Sequence, residues 1–310
     1  MRADDDRRTL ARAATGTAFA RAALAGNPSD GYGGAVLAVC LRDAAATVEL
    51  TPVPGPPALR VEPGAAAALV AAAAARHAAA TGVATSGLHA TVRTTIPREV
   101  GLAGSSAIVI ATLRALDALL GTAIDREELP LVALAAERDL GIAAGLQDRV
   151  AQAYGGLTAM SFGDGTFAAR AVDPALLPPL FVAWVPGSAA PSGTYHAALR
   201  ERWTAGDPEV RSAMARLAQA ARDATAAVER EDPPALAAAM DASYDLRAAL
   251  GPLDPRHVAL VRTAREVGLC ANYAGSGGAI VGIVTDRDRL DALGARLAPA
   301  GAHVRTVATR

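Results

Sequence analysis

The sequence predicts a protein of the α+β class, arranged in two lobes or in one large domain. Strand-like and helix-like segments follow one another in a mixed order, and this order excludes a simple doubly wound parallel sheet. The 310 residues, 52% of them hydrophobic, are enough to bury an ample core. A third observation is a polar strand that a glycine-containing loop joins to an apolar helix.

The chain begins with strands and an alanine-rich helix. Strands are expected near residues 15–25, 35–41 and 45–52, a turn at 55–57 and a helix near 64–80. The apolar run at 65–75 is too short and too weakly hydrophobic to span a bilayer, and Arg76 and His77 end it. We interpret it as a helix against a sheet or as a low-complexity insert.

A strand, a loop and a helix follow between residues 88 and 120. Residues 88–95 alternate between two faces, as a half-buried strand does. After the loop, apolar side chains recur at helical spacing at Val109, Leu113, Leu116 and Leu120. In residues 96–107, two glycines permit tight turns, two serines can cap the helix, and its first N–H groups favour an anion. The loop can therefore hold a phosphate without a cationic side chain, although glycine and serine before a helix are also an ordinary cap.

The rest of the chain continues the mixed order. Asp125, with Glu128 three residues later, predicts a capping box that opens a helix over 126–140. The remaining expected elements are a helix at 147–153, strands at 157–162 and 181–185, three helical segments, a glycine turn at 275–278, a strand at 279–285, a helix and a last strand at 303–308.

The chain contains no lysine, so all 30 of its basic side chains are arginine. A Walker A loop needs a lysine on the β- and γ-phosphates and is therefore excluded. A protein-kinase fold, a Schiff-base enzyme and pyridoxal-phosphate catalysis are excluded for the same reason. Phosphate must be handled by backbone amides, hydroxyls, a metal and arginine.

Charge and composition indicate a protein that binds neither nucleic acid nor membranes. The net charge is −1 and aromatic residues make up 4%, which leaves no broad basic surface and little capacity for base stacking. Cys40 and Cys270 predict packed, reduced thiols rather than a disulfide. The first residues are acidic and contain no apolar signal core. We expect a cytoplasmic protein that is a monomer or a homodimer.

Three segments resemble the motifs of the GHMP kinases, in the order that this family requires. Residues 97–107 resemble the second motif, with one extra residue at Gly104, as in sugar kinases of the group. Residues 21–30 resemble the first motif, a strand that runs into a substrate loop. Residues 273–280 resemble the third, a glycine-rich turn that packs beside the phosphate loop. Each match alone is weak because glycine-rich turns are common, but their shared order is specific.

The resemblance implies a two-lobed fold. The N-terminal lobe, residues 1–175, would be ribosomal protein S5 domain 2-like, and the C-terminal lobe, residues 176–310, ferredoxin-like α+β. Within the superfamily the sequence is most similar to sugar-1-kinases of the glucuronokinase type. That similarity depends on residues 26–34, 96–106, 145–150 and 154–157, with looser matches at 196, 200–203 and 244–247.

The resemblance also implies the machinery of an ATP- and Mg²⁺-dependent kinase. ATP would bind to Pro97, Gly101, Leu102, Ala103, Gly104, Ser105, Ser106 and Ala107. Ser106 and Glu137 would hold Mg²⁺, with Asp139 as the alternative nearby charge. Asp148 would orient or deprotonate the acceptor hydroxyl and Arg21 would stabilise charge. The alternative for Asp148 is a helical surface residue that pairs with an arginine such as Arg149. The alternative for Arg21 is a surface charge on an edge strand.

The acceptor implied by the resemblance is a sugar. The substrate-binding residues would be Asn27, Ser29, Asp30, Gln147, His196, Arg247, Gly275, Ser276 and Gly277. The carboxylate of a uronic acid needs an arginine, for which Arg247, Arg200 and Arg202 are candidates. A GHMP kinase that acts on a heptose phosphate, arabinose, galactose or a mevalonate-like alcohol would have the same catalytic residues and differ only in its contacts with the acceptor. A non-catalytic sensor of sugar or nucleotide is the alternative of a different class.

Overall fold

The structure of the chain, a computed structural model, describes residues 13–53, 59–84, 87–142, 145–163, 165–187 and 192–309. Side chains at 192–194 are not included. The turn expected at 55–57 lies outside the described residues.

The described residues form strands and helices in mixed order. The strands are β1 (Ala14–Ala25), β2 (Ala35–Pro52), β3 (Leu59–Glu62), β4 (Leu88–Thr94), β5 (Leu157–Gly163), β6 (Thr166–Val172), β7 (Leu180–Trp184), β8 (Asn272–Tyr273), β9 (Ala279–Ile283) and β10 (His303–Val307). The helices are α1 (Ala67–Thr81), α2 (Gly104–Leu120), α3 (Leu129–Asp139), α4 (Gln147–Tyr154), α5 (Ser192–Thr204), α6 (Pro208–Glu229), α7 (Pro233–Ala249), α8 (Pro255–Glu266) and α9 (Arg287–Leu297). None of these helices is long and apolar enough to cross a membrane.

The chain divides into two compact units that each collect distant segments. The first unit comprises the described residues within 1–19, 44–95 and 105–144, and the second those within 20–43, 96–104 and 145–310. Strands β1 and β2 contribute one part to each unit. The lobe boundary expected at residue 175 falls between β6 and β7 and stays a prediction.

The first unit packs helices with a sheet. Its strand β4 pairs antiparallel with the second half of β2 and parallel with β3. Helix α2 buries the stripe of apolar side chains that its spacing predicts, among them Val109, Leu113 and Leu116. Burial of each such side chain contributes roughly 2 kcal/mol, so this stripe fixes the helix that begins at Gly104.

The second unit contains two antiparallel pairing systems. The first half of β2 pairs with β5, and β5 pairs with β6. The other sheet has the order β10-β7-β9-β8. A buried cluster from this sheet and from α7, α8 and α9 includes Phe181, Leu260 and Ile280. This core holds the glycine turn between β8 and β9 in place.

Several element predictions differ from the structure. The expected strands 35–41 and 45–52 are one continuous strand, β2. The capping box is wrong: α3 begins at Leu129, and its N-cap Glu128 makes no side-chain cap hydrogen bond. Pro130 sets that start instead, because its fixed φ and missing N–H suit the first turn. Between β7 and the glycine turn the described residues hold four helices, α5 to α8, where three are expected, and the sequence interpretation omitted β3, β6 and β8.

Candidate active site

Arg21 and Asp148 form a close ion pair in the second unit. Arg21 lies on β1 and is 3% exposed, and Asp148 lies in the first turn of α4. The Arg21 Nε donates to Asp148 Oδ1 over 2.7 Å, and Nη2 lies 2.7 Å from the same oxygen. Both residues were predicted from the sequence, and the structure brings them together. Arg21 is therefore buried and is not a surface charge.

The charge on Asp148 is held by two arginines. Burial alone would raise its pKa, but the charges of Arg21 and Arg149 and the Arg21 hydrogen bond outweigh this effect, so the pKa lies below its usual range. Arg149 Nη1 lies 3.6 Å from Asp148 Oδ2. Asp148 therefore pairs with Arg149, as the alternative interpretation expected, and with Arg21 at the same time. Asp148 is consequently ionised at neutral pH and can attract a hydroxyl proton.

Arg21 also connects the predicted phosphate loop with the glycine turn. Its Nη1 donates to the carbonyls of Gly101, over 2.9 Å, and Ala274, over 2.7 Å. The two backbones approach so closely that a Cβ on Gly101 would lie 2.4 Å from the Gly277 carbonyl oxygen. A Cβ on Gly275 would lie 2.2 Å from the Gly101 oxygen. The glycines are required because the two turns touch through their backbones.

The loop over residues 96–104 has an unusual backbone. Glu99, Gly101 and Ala103 have φ values of 57°, 75° and 61°, with negative φ at the residues between them. Left-handed conformations are costly for non-glycine residues and occur often at functional sites. Alternation of positive and negative φ can turn successive N–H groups toward one side, a geometry that binds anions. Buried Leu102 anchors the loop.

The predicted nucleotide residues are divided between the loop and helix α2. Pro97, Gly101, Leu102, Ala103 and Gly104 belong to the second unit. Ser105, Ser106 and Ala107 form the first turn of α2 and belong to the first unit, where Ser106 and Ala107 are buried. The Ala103 carbonyl accepts a hydrogen bond of 2.9 Å from Gln152 Nε2, which fixes the end of the loop.

Glu137 is a buried carboxylate in the first unit. It lies on α3 with 0% exposure, and Ser105 Oγ donates to its Oε1 over 2.8 Å. The alternative, Asp139, lies at the surface and pairs with Arg76 Nε over 2.6 Å. Among the described residues no group of three or more His, Cys, Asp or Glu could hold a metal. One carboxylate with serine hydroxyls is an all-oxygen donor set, which fits Mg²⁺ completed by phosphates and water.

Asp30 and Gln147 form the second polar cluster of the second unit. Gln147 donates to the Asp30 carboxylate through its backbone N, over 3.4 Å, and through Nε2, over 3.3 Å. Gly145 makes this approach possible, because a Cβ there would lie 2.4 Å from Asp30 Oδ2. Burial, followed by the charge of Asp148, raises the pKa of Asp30 to about 6. Gln147 Oε1 is buried and accepts no hydrogen bond from the described residues.

Two other predicted sugar contacts have partners within the protein. Asn27 is buried, and its Nδ2 donates to the Gly275 carbonyl over 2.9 Å. Ser29 is fully buried, and its hydroxyl donates to the Ala35 carbonyl over 3.0 Å and accepts from the Ala35 N–H. Both side chains shape the loop between β1 and β2.

Arg247 and His196 lie on helices of the second unit. Arg247 is 1% exposed, and it donates to the carbonyls of Gly275 over 2.6 Å and of exposed Ser276 over 3.0 Å. Its guanidinium also lies over the Tyr273 ring at 5.0 Å. Half-buried His196 packs edge-on against Tyr195. Burial and the charge of Arg247 lower the pKa of His196 to about 4, so this ring is neutral at pH 7.

The sequence interpretation omitted an aromatic cluster beside these groups. Tyr32 and Trp203 rings lie 5.0 Å apart, and Tyr195 belongs to the same packed cluster. The cation of Arg200 lies over the Tyr32 ring. With aromatics at only 4%, a tyrosine two residues after the first motif was the signal that could have drawn attention to this surface.

Family models and known proteins resemble this chain over much of its length. The model for the N-terminal domain of the GHMP kinases matches residues 65–156, and the model for the C-terminal domain matches 224–303. Glucuronokinase 1 of Arabidopsis thaliana is 37% identical over 201 residues, which is 61% of this chain and 55% of that protein. The chain thus spans about half the length of the curated relative that it matches.

Solved structures share the fold at low identity. L. major mevalonate kinase in complex with R-mevalonate has a TM-score of 0.79 and 20% identity, covering 94% of each chain. Lactococcus lactis galactokinase complexed with galactose has a TM-score of 0.81 and 16% identity, covering 97% of this chain and 94% of the other. The two family models together cover more than half of the sequence. The chain belongs to the GHMP kinase family.

Proposed function

We propose that this chain transfers the γ-phosphoryl group of ATP to the anomeric hydroxyl of glucuronate or a related uronic acid. The observation that carries the proposal is the ion pair between buried Arg21 and Asp148, in which Arg21 also bonds the carbonyls of Gly101 in the loop and of Ala274. The similarity of the chain to Glucuronokinase 1 supports the choice of acceptor.

In this proposal Asp148 acts on the acceptor hydroxyl. Its ionised carboxylate orients the hydroxyl and takes its proton as the sugar oxygen bonds to the γ-phosphorus. The bond from the γ-phosphorus to the bridging oxygen breaks, and ADP leaves. Arg21 keeps Asp148 charged and offsets negative charge on the transferring group. In this proposal the phosphates bind to backbone N–H groups of the loop over residues 96–104.

The residues present fit Mg²⁺ as the metal of this reaction. Ser106 and Glu137 would hold it, and the hydrogen bond from Ser105 fixes the Glu137 carboxylate. When bound, Mg²⁺ neutralises charge on the phosphate oxygens.

Asp30 and Gln147 are the groups that we assign to the sugar hydroxyls. A sugar needs hydrogen-bond acceptors and donors at fixed positions. The Asp30 carboxylate accepts, and Gln147 Oε1 is a buried acceptor with no bond from the described residues. The other predicted acceptor contacts stay predictions: Asn27, Ser29, His196, Arg247, Gly275, Ser276 and Gly277.

The experiment measures ADP release from Mg-ATP with a panel of acceptors. The panel contains glucuronate, galacturonate, glucose, galactose, arabinose, a heptose 7-phosphate and mevalonate. Selective turnover of a uronate supports the proposal, and product analysis then locates the phosphate. Turnover of another acceptor would retain the mechanism and remove the uronate assignment. ATP binding without ADP release from any member would favour a sensor.

Replacement of Asp148 tests the assigned role directly. Asp148→Asn keeps the shape but cannot take a proton, so we expect kcat to fall about 100- to 10,000-fold. ATP affinity, measured by calorimetry, should remain nearly unchanged. Asp139→Asn is the control, because it removes a carboxylate that pairs with Arg76 at the surface. Activity of Asp148→Asn close to that of the control would remove the mechanism.

A further inference from the structure

Two of the three arginines considered for the carboxylate of a uronate are already occupied by protein groups. Arg202 Nε donates to Asp207 over 2.7 Å and Nη1 donates to the Leu250 carbonyl over 2.8 Å. Arg247 donates to carbonyls of the glycine turn through both terminal nitrogens. Both arginines hold parts of the second unit together, so neither offers a complete guanidinium edge to a ligand.

Arg200 differs from both. It is exposed on α5, and its guanidinium carbon lies 4.4 Å from the centre of the Tyr32 ring. Within the described part of the chain its side chain makes neither a hydrogen bond nor an ion pair. Stacking on an aromatic face holds the guanidinium plane and leaves its N–H groups directed outward at the edge.

Arg200 also lies beside the loop that carries Asp30. A Cβ on Gly31 would lie 3.1 Å from Arg200 Nη2, so the guanidinium touches the residue that follows Asp30. The Asp30 carboxylate is bonded to Gln147, which immediately precedes Asp148. The unoccupied cation is thus next to the polar cluster assigned to the acceptor.

The charge of Arg200 favours an anion beside this cluster. Asp148 is balanced by Arg21 and Arg149, whereas Arg200 has no carboxylate partner among the described residues. Burial is the main cause of the lowered pKa of His196, and the charges of Arg247 and Arg200 lower it further against the opposing effect of Asp148. An anionic ligand would compensate this excess of positive charge.

We propose that Arg200, held on Tyr32, is the oxyanion-recognition residue of the acceptor site. The guanidinium edge would bind the carboxylate of a uronic acid, or the phosphate of a sugar phosphate, through paired N–H groups. This inference rests on the proposed function for the identity of the site, and it makes Arg200 the residue that separates charged from neutral acceptors.

The test measures binding of three matched ligands by calorimetry in the presence of Mg-ADP. Glucuronate, glucose and glucose 6-phosphate differ mainly at carbon 6, which carries a carboxylate, a hydroxymethyl group or a phosphate ester. We expect Arg200→Gln to weaken binding of the anionic ligand about 10- to 100-fold, as loss of a charged hydrogen-bond pair does, and to leave glucose unchanged. Arg200→Lys should restore part of the affinity, because it keeps the charge but loses the planar edge.

Arg211→Gln is the matched control. Arg211 is also exposed, and its guanidinium lies 5.8 Å from the centre of the Trp203 ring, so the control removes an arginine stacked on an aromatic ring of the same cluster. Its affinity for each ligand should equal that of the unmodified chain.

The outcomes separate this inference from the proposed function. Loss of affinity for glucuronate or for glucose 6-phosphate in Arg200→Gln supports the inference and identifies the oxyanion, even if no ADP is released. Binding of both anions with equal affinity to Arg200→Gln and to the unmodified chain would overturn it. Failure of the unmodified chain to bind either anion would overturn it as well.

Discussion

Asp30 and Asp148 belong to one unit but have opposite pKa shifts. Burial raises the pKa of both carboxyls, yet two arginine charges reverse the effect at Asp148. Asp30 receives mainly hydrogen bonds from Gln147, and the negative charge of Asp148 adds to the cost of its own ionisation. Different partners thus prepare one carboxylate as a permanent anion and leave the other able to titrate near pH 6.

This difference predicts a pH-dependent effect of Asp30→Asn on stability. In the folded chain the pKa of Asp30 is raised from 3.8 to about 6, so the native state binds the proton more tightly than the unfolded state does. Its contribution to the free energy of unfolding therefore falls as pH rises from about 4 to about 6. We expect the stability of Asp30→Asn relative to the unmodified chain to increase by about 1–3 kcal/mol between pH 4 and pH 7.

Urea unfolding at the two pH values measures this change. Any hydrogen bond that the amide loses to Gln147 is lost at both pH values, so it cancels in the comparison. An equal effect of Asp30→Asn at pH 4 and pH 7 would contradict the raised pKa.

At the scale of elements, the site depends on two turns that meet through their backbones. The loop before α2 and the turn between β8 and β9 leave no space for a side chain at Gly101, Gly275 or Gly278, where a built Cβ meets backbone atoms of the opposing segment at 2.2–2.8 Å. Arg21 then bonds carbonyls of both segments. The resulting arrangement fixes the loop N–H groups before any ligand arrives, which reduces the entropy cost of binding.

Gly101→Ala and Gly121→Ala separate steric contact from backbone strain. Both glycines have similar φ values, 75° and 67°, so each alanine costs about 1–2 kcal/mol in a left-handed conformation. Only at Gly101 does the new Cβ meet backbone, the Gly277 oxygen at 2.4 Å, whereas nothing lies within 4 Å at Gly121. We expect Gly101→Ala to lower the free energy of unfolding by at least about 1 kcal/mol more, and to weaken ATP binding. Equal losses in denaturant unfolding would show that the turns can separate.

Local patterns predicted some elements well and others poorly. Alternation identified β4 and helical spacing identified α2, because both patterns record burial along one segment. The sequence interpretation missed the continuity of β2 and the start of α3. Pairing with neighbouring strands determines the length of β2, and Pro130 determines where α3 begins, whereas the interpretation had relied on polar residues. The order of the motifs assigned Arg21 and Asp148 to one site although the two residues are 127 positions apart in the sequence. The Arg200–Tyr32 contact was unpredictable because no motif spacing relates the two residues.

At the scale of the whole molecule, every basic side chain is an arginine. Arginine keeps its charge at all pH values of interest, so ionisation changes in the working range come from carboxylates and histidine. The proposed phosphate site correspondingly uses backbone N–H groups and oxygen ligands of Mg²⁺ in place of a lysine. If the residue that holds Mg²⁺ is replaced, bound nucleotide should therefore stabilise the folded protein less.

Glu137→Gln tests this link. A ligand at 100 times its Kd stabilises a protein by about 2.7 kcal/mol. The Tm of the chain with Mg-ATP should therefore be higher than its Tm with ATP and a chelator of Mg²⁺. In Glu137→Gln we expect this Mg²⁺-dependent part of the shift to fall by more than half, because a neutral amide is a weaker Mg²⁺ ligand. Glu128→Gln is the control, since Glu128 is exposed immediately before the same helix. A Mg²⁺-dependent shift in Glu137→Gln equal to that of the control would assign the metal to other ligands.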